Sequence, residues 1–240
     1  MIEKQLDLTT PDGDMPVFIV HPEEDGPHPV VLFQMDAPGM REELRNMSRR
    51  LASVGYYVML PMLYYRDVRE YNLFETGDRD RMFELMENLT NARASADAGS
   101  CFDYADSDPA ADATRCGTVG YCMSGPFTVI VAADHADRVR AAASIHGVRL
   151  ITDAEDSPHL RLGQIPGEIY IGCAESDHWA PPEMVNAFEA AISDAGANGR
   201  VEWYPGTEHG FAFAERPAYV QEASERHWER LHSLFRRNLG

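Results

Sequence analysis

The sequence is poor in positive charge. Only Lys4 among its 21 basic residues is a lysine, and 39 acidic residues give a formal net charge of −18. This charge would repel the phosphate backbone of DNA or RNA, so we expect no nucleic-acid partner. The bias toward arginine fits either a GC-rich genome or a salt-adapted proteome, and the sequence leaves both explanations open.

Long apolar runs and paired cysteines are missing as well. No apolar run approaches the ~20 residues needed to cross a bilayer, and the first residues lack the basic-then-apolar order of a signal peptide. We therefore expect no membrane association and a cytoplasmic location. The cysteines at positions 101, 116, 122 and 173 form neither a C-x-x-C pair nor a zinc-site spacing. We predict free thiols, with Cys116 and Cys173 in the core.

The residues that are present predict one α/β domain over residues 1–240. The length and a hydrophobic content of 44% suit a single large domain. A turn signal at residues 10–14 predicts an N-terminal β-hairpin. Strand-like runs then alternate with helical patterns, including one long helix over residues 79–98. This alternation predicts a mostly parallel sheet of about seven to eight strands, flanked by helices on both faces.

The most informative stretch is Val119–Gly125, where an apolar strand meets a helix-compatible segment. A nucleophile on such a sharp turn needs small residues two positions before and after it. Gly120 and Ser124 meet this need if Cys122 is at the tip. A turn with Ser124 at the tip would place Pro126 at one of these positions, where proline fits poorly. Cys122 is therefore the predicted nucleophile, although this segment alone also allows a buried structural cysteine.

Partners for the thiol follow later in the chain. A cysteine nucleophile needs a base, and the base needs a group that orients it. In such sheets the order is nucleophile, acid, histidine, which Asp177 and His209 satisfy after two successive predicted strands. Each residue alone has a simpler interpretation, a helix cap or a surface histidine, but their order favours a triad with Cys122. His146 also follows a strand and is expected to line the pocket, although it precedes the acid.

An acyl-transfer site also needs two donors for the oxyanion of its intermediate. The backbone N–H of Met123, directly after the nucleophile, is the first predicted donor. The second should come from the loop after the strand at residues 30–33. Pro38 in that loop has no N–H, so Asp36 or Ala37 is the predicted donor. The sequence contains no H-x-x-x-H or H-E-x-x-H pair, so we expect no metal.

Three motifs together resemble the dienelactone hydrolase family of α/β-hydrolases. They lie at residues 120–125, 175–178 and 208–211, and the similarity extends through nearly the whole chain, including residues 34–39, 60–66 and 219–236. The resemblance implies an α/β-hydrolase fold and a cofactor-free hydrolase of small carboxylic esters or lactones. Cys122 would be the nucleophile, His209 the base and Asp177 the orienting acid. The oligomeric state stays open.

The resemblance also implies which residues contact the substrate. Asp36 is the candidate for the family's thiol-contacting carboxylate, one residue out of step with the pattern. Arg66 matches one of two arginines that bind the substrate carboxylate, whereas Phe213 stands in place of the second and Arg216 lies three residues further on. Losing one charged bond costs about 1.5–3 kcal/mol, so we predict a preference for more apolar esters. The predicted substrate contacts are Arg66, Tyr64, Trp179 and Phe213.

Two other functions fit the same sequence. A non-catalytic binding protein can share the fold, because fold does not guarantee activity. A serine-type esterase that uses Ser124 is the third hypothesis.

Overall fold

The computed structural model covers residues 1–240, and its centre is one eight-stranded sheet. The strands are β1 (Ile2–Thr10), β2 (Gly13–His21), β3 (His28–Gln34), β4 (Tyr57–Pro61), β5 (Ala111–Tyr121), β6 (Val139–Ile145), β7 (Glu168–Ser176) and β8 (Gly199–Glu208). Their order across the sheet is β1-β2-β4-β3-β5-β6-β7-β8. The β1–β2 hairpin and the β2–β4 pair are antiparallel, and all other pairs are parallel. The predicted hairpin and mostly parallel sheet are confirmed.

Helices cover both faces of this sheet, as predicted. They are α1 (Glu42–Ala52), α2 (Leu73–Thr76), α3 (Arg79–Asn88), α4 (Asn91–Ser107), α5 (Gly125–Asp134), α6 (Pro182–Asp194) and α7 (Gln221–Leu239). Apolar side chains of α1 and α7 belong to one buried cluster, whereas α4 and α6 contribute to a second. The sheet separates the two clusters, which is why its central strands are apolar on both faces. None of the helices has the length and apolarity that crossing a membrane requires.

The prediction of one long helix over residues 79–98 is wrong. The structure has two helices there, because α3 ends at Asn88 and α4 begins at Asn91. The hydroxyl of Thr90 accepts a hydrogen bond from the N–H of Arg93 at 3.2 Å and caps the second helix. Only residues 89 and 90 separate the two helices, and neither is a glycine or proline that would mark the break in the sequence.

Candidate active site

The turn after β5 has the backbone of a nucleophile elbow. β5 ends at Tyr121, a 3-10 turn spans residues 122–124, and α5 follows at once. Cys122 has a φ of +54°, a left-handed conformation that costs a non-glycine residue about 1–3 kcal/mol. A Cβ atom on Gly120 would lie 2.4 Å from the Ser124 carbonyl oxygen. Glycine is therefore required at that position, as the sequence predicted.

Ser124 is fully buried and holds the elbow together. Its hydroxyl donates to the Gln34 carbonyl oxygen at 3.0 Å and accepts from the Tyr121 N–H at 3.0 Å. These bonds tie the turn to the end of β3. The Ser124 hydroxyl thus stabilises the turn, and it has no exposed surface from which to attack a substrate.

The structure brings Asp177 and His209 together at the carboxyl edge of the sheet. Asp177 follows β7, His209 follows β8, and the His209 Nδ1 atom lies 2.7 Å from Asp177 Oδ2. The other carboxylate oxygen accepts from the N–H groups of Trp179, at 2.8 Å, and Ala180, at 3.0 Å. The carboxylate is therefore fixed by the backbone and in turn fixes the imidazole.

Cys122 lies beside the His209 ring and affects its protonation. Burial opposes a charge on the ring, but the hydrogen bond to Asp177 and the interaction with Cys122 outweigh it and raise the His209 pKa from 6.5 to about 10. A ring with this raised pKa stays protonated at neutral pH and can stabilise a thiolate beside it. Cys122, His209 and Asp177 thus form a row of thiol, imidazole and carboxylate.

The other three thiols have a different environment. Cys101, Cys116 and Cys173 are buried, and burial raises their pKa values, to about 12 for Cys116 and Cys173. Cys122 is half-buried. Since the thiolate is the reactive form, the three buried cysteines are expected to be inert.

His146 packs directly against the His209 ring, whereas the sequence predicted only that it lines the pocket. Its ring centroid lies 4.7 Å from that of His209, and the two rings are tilted by 63°. The side chain is buried, and neither ring nitrogen has a hydrogen-bond partner. Burial, and then the charge on His209, hold the His146 pKa well below 6.5. The base therefore has a neutral neighbour.

Tyr64 connects the two segments that were predicted to form the oxyanion hole. Its hydroxyl lies 3.0 Å from the Ala37 carbonyl oxygen and 3.0 Å from Met123 Sδ. Tyr64 is almost completely buried. We infer that it positions Ala37 and Met123 and has little surface left for the substrate.

Asp36 is engaged by two arginines. Its buried carboxylate lies 2.5 Å from an Arg41 amino group and 3.1 Å from one of Arg216. Phe213 is completely buried, and the guanidinium carbons of Arg41 and Arg216 lie 5.0 and 5.5 Å from its ring centroid. Sequence reasoning missed Arg41, whose only local signal is its place just after the Asp36 loop. The Phe213 ring thus packs against the two guanidinium groups and presents no surface to a ligand.

The structure gives Arg66 partners outside the triad. Its guanidinium lies 2.7 Å from Asp97 on α4 and 2.7 Å from Asp12 in the β1–β2 turn. It also lies over the Tyr65 ring. None of its polar contacts involves Cys122 or His209, so these contacts give no support to a role in binding a substrate carboxylate.

Trp179 is the most exposed of the predicted substrate contacts, with 55% of its surface accessible. Its backbone bonds to Asp177, and its ring lies 6.3 Å from the ring of Phe83 on α3. The two aromatic side chains therefore form an apolar rim near the triad. No group of three or more His, Cys, Asp or Glu side chains has the geometry to hold a metal ion.

The sequence has relatives among known proteins. The sequence profile of the "Dienelactone hydrolase family" matches residues 15–239. A Methylorubrum extorquens protein named "Putative carboxymethylenebutenolidase" is 27% identical over 98% of this chain and 81% of its own length. A Pseudomonas putida "Carboxymethylenebutenolidase" is 25% identical over 93% of this chain and 92% of its own.

Solved structures agree with the sequence match. A crystal structure titled "Putative Dienelactone Hydrolase" from Klebsiella pneumoniae superposes with a TM-score of 0.89, at 25% identity, over 98% of both chains. A dienelactone hydrolase from Anabaena variabilis gives a TM-score of 0.73 at 16% identity and supports the fold alone. With a profile match over almost its full length, this chain belongs to the dienelactone hydrolase family.

Proposed function

We propose that this protein hydrolyses small carboxylic esters or lactones through an acyl-cysteine intermediate on Cys122. The observation that carries the proposal is the fixed array at the sheet edge. Asp177 holds the His209 ring at 2.7 Å, and the Cys122 thiol lies beside that ring on a strained turn. Family membership supports the same reaction class.

In the first half of the reaction the Cys122 thiolate attacks the ester carbonyl carbon. The negative charge moves to the carbonyl oxygen, which binds the N–H of Met123 and one N–H of the Asp36–Ala37 segment. The C–O bond to the alcohol then breaks, and protonated His209 donates its proton to the leaving oxygen. The products are a thioester on Cys122 and a free alcohol, or a ring-opened acyl chain from a lactone.

In the second half water replaces the alcohol. Neutral His209 accepts a proton from the water as its oxygen attacks the thioester carbon, and Asp177 stabilises the resulting imidazolium. The C–S bond breaks, which releases the carboxylic acid and restores the thiolate–imidazolium pair. No cofactor is needed for either half.

Two substitutions test this proposal. Cys122→Ala and His209→Ala should each abolish hydrolysis of 4-nitrophenyl acetate, because one removes the nucleophile and the other the proton carrier. Cys173→Ala is the matched control, since this buried thiol should contribute nothing to turnover. Circular dichroism and thermal unfolding would verify that each variant is folded. Turnover by folded Cys122→Ala would contradict the mechanism.

Alkylation separates this proposal from its two rivals. Iodoacetamide near neutral pH should label Cys122 ahead of the three buried thiols, and a slow ester should leave its acyl group on the same peptide in mass spectrometry. An acyl group on Ser124 would favour the serine-type esterase. A folded protein with neither turnover nor preferential labelling of Cys122 would favour a non-catalytic binding role.

A further inference from the structure

A small cleft lies beside the nucleophile elbow, between α3, the start of α5 and the loop after β6. Its volume is about 240 Å³. This is below the roughly 300–1,000 Å³ of sites that enclose a drug-sized ligand, so it has room for one short chain or a single ring. Its apolar lining consists of Met86, Leu89, Met123, Phe127, Val148 and Ala154.

The cleft shares its wall with the backbone of the nucleophile. Met123 is the next residue after Cys122, and the N–H of Val148 donates to the Cys122 carbonyl oxygen at 3.1 Å. The cleft therefore borders the backbone of the nucleophile elbow through Met123 and Val148. A larger cavity of about 550 Å³ is lined by charged residues such as Arg45 and Arg69, and it includes neither a triad residue nor a chain neighbour of Cys122.

Two acidic side chains and one arginine line the cleft. Arg149 at its rim lies 3.1 Å from Glu87, and both side chains are exposed. Asp156 accepts a hydrogen bond from Asn91 at 3.1 Å. Asp156 thus keeps a negative charge at the rim, and an anionic group that entered the cleft would lose its hydration and be repelled.

We propose that this cleft binds one short, uncharged, apolar arm of the ester, and that Leu89, Phe127 and Val148 set its permitted length. The proposal rests on the function proposed above. Methionine adapts easily to differently shaped neighbours, so Met86 and Met123 can adjust the width of the cleft. The favoured substrates would then be neutral alkyl or aryl esters.

Filling the cleft tests the proposal. Val148→Phe and Leu89→Phe add bulk from two different walls, and Phe127→Ala removes bulk. The readout is kcat/KM for 4-nitrophenyl hexanoate divided by kcat/KM for 4-nitrophenyl acetate. In a parallel series of alkyl acetates, the ratio compares kcat/KM for a long alcohol arm with that for a short one. A single methylene in a tight pocket changes selectivity about 10–200-fold, so each filling variant should lower the ratio at least about tenfold in one series. Phe127→Ala should raise it.

Val54→Phe is the control, because it makes the same exchange at an exposed residue in the turn after α1 and should leave the ratio unchanged. If Val148→Phe does not fold, Leu89→Phe tests the opposite wall. Unchanged ratios in both series, with acetate hydrolysis retained, would overturn the subsite. Faster hydrolysis of 4-nitrophenyl hemisuccinate than of the butyrate would overturn its apolar character. A wild-type protein that hydrolyses no ester would instead overturn the proposed function.

Discussion

His146 and His209 lie at the carboxyl ends of β6 and β8, with ring centroids 4.7 Å apart, yet their protonation differs completely. Burial penalises the charged form of both rings. His209 has a carboxylate at 2.7 Å and a thiol beside it, and its pKa is raised to about 10. His146 has no hydrogen-bond partner, and its pKa is well below 6.5. The carboxylate and the thiol beside His209 thus decide which histidine can carry a proton.

The difference also explains why the two rings can be neighbours. Two imidazolium ions at this separation would repel each other in a poorly solvated site. A neutral His146 supports the His209 ring without competing for its charge. The comparison therefore supports His209 as the proton carrier of the proposed mechanism and a packing role for His146.

Asp177→Asn should have the largest effect on the difference between the two histidines. The variant leaves both histidines without a carboxylate, so the His209 pKa should fall and its ring should lose its fixed tautomer. The equivalent exchange in a serine triad lowers kcat about 10⁴-fold, and we expect a loss of similar order here. Ester turnover measured against Asp153→Asn, an exposed aspartate in the loop after β6, checks this expectation. A loss below tenfold would mean that Asp177 does not orient the base.

Alkaline pH should expose the contribution of His209 to stability. Its folded-state pKa lies above the unfolded value, so its stabilisation is complete below pH 6.5 and is lost as pH rises through about 10. At about 1.4 kcal/mol per pKa unit, the loss should reach a few kcal/mol. Urea unfolding of the wild type and Asp177→Asn at pH 6.5, 8 and 10 should give converging free energies of unfolding. A constant gap would contradict the assigned pKa.

Acidic pH should expose His146 in the opposite direction. Its folded-state pKa is lowered, so the stability of its neutral form is complete above pH 6.5 and is lost as pH falls. Urea unfolding between pH 6.5 and 5 should show this loss. His146→Phe should therefore lose less free energy of unfolding over that interval than the wild type. His227 also titrates low, with a pKa of about 3, but it is present in both proteins and cancels in the comparison.

The smallest effect expected is that of His146→Phe on turnover. The exchange keeps a ring beside His209 and removes two nitrogens that have no partner, so kcat should fall by less than about tenfold. His146→Ala, which removes the ring, should reduce turnover more because His209 loses its packing. A large fall in His146→Phe with unchanged thermal stability would assign the nitrogens a part in the reaction.

The parts of the site that sequence reasoning located are those that the backbone dictates. A sharp turn requires Gly120, and parallel strands bring the residues after β5, β7 and β8 to one edge. The order of the strands together with the residue types therefore predicted that Cys122, Asp177 and His209 lie close together, as they do. The partners of Asp36 and Arg66 could not be predicted in this way. Asp97 lies on α4, within the segment that was predicted as one long helix, and its pairing with Arg66 depends on how that helix docks.

The strained turn at Cys122 has an evolutionary consequence. Its position is set by Gly120, by the bonds of Ser124 and by a backbone φ of +54°, and none of these depends on sulfur. Another small nucleophilic side chain at this position would therefore be held at the same place. In the proposed mechanism, the turn therefore fixes the position of the nucleophile but not its element. A change in a single codon could replace the thiol with another nucleophilic side chain at the same place.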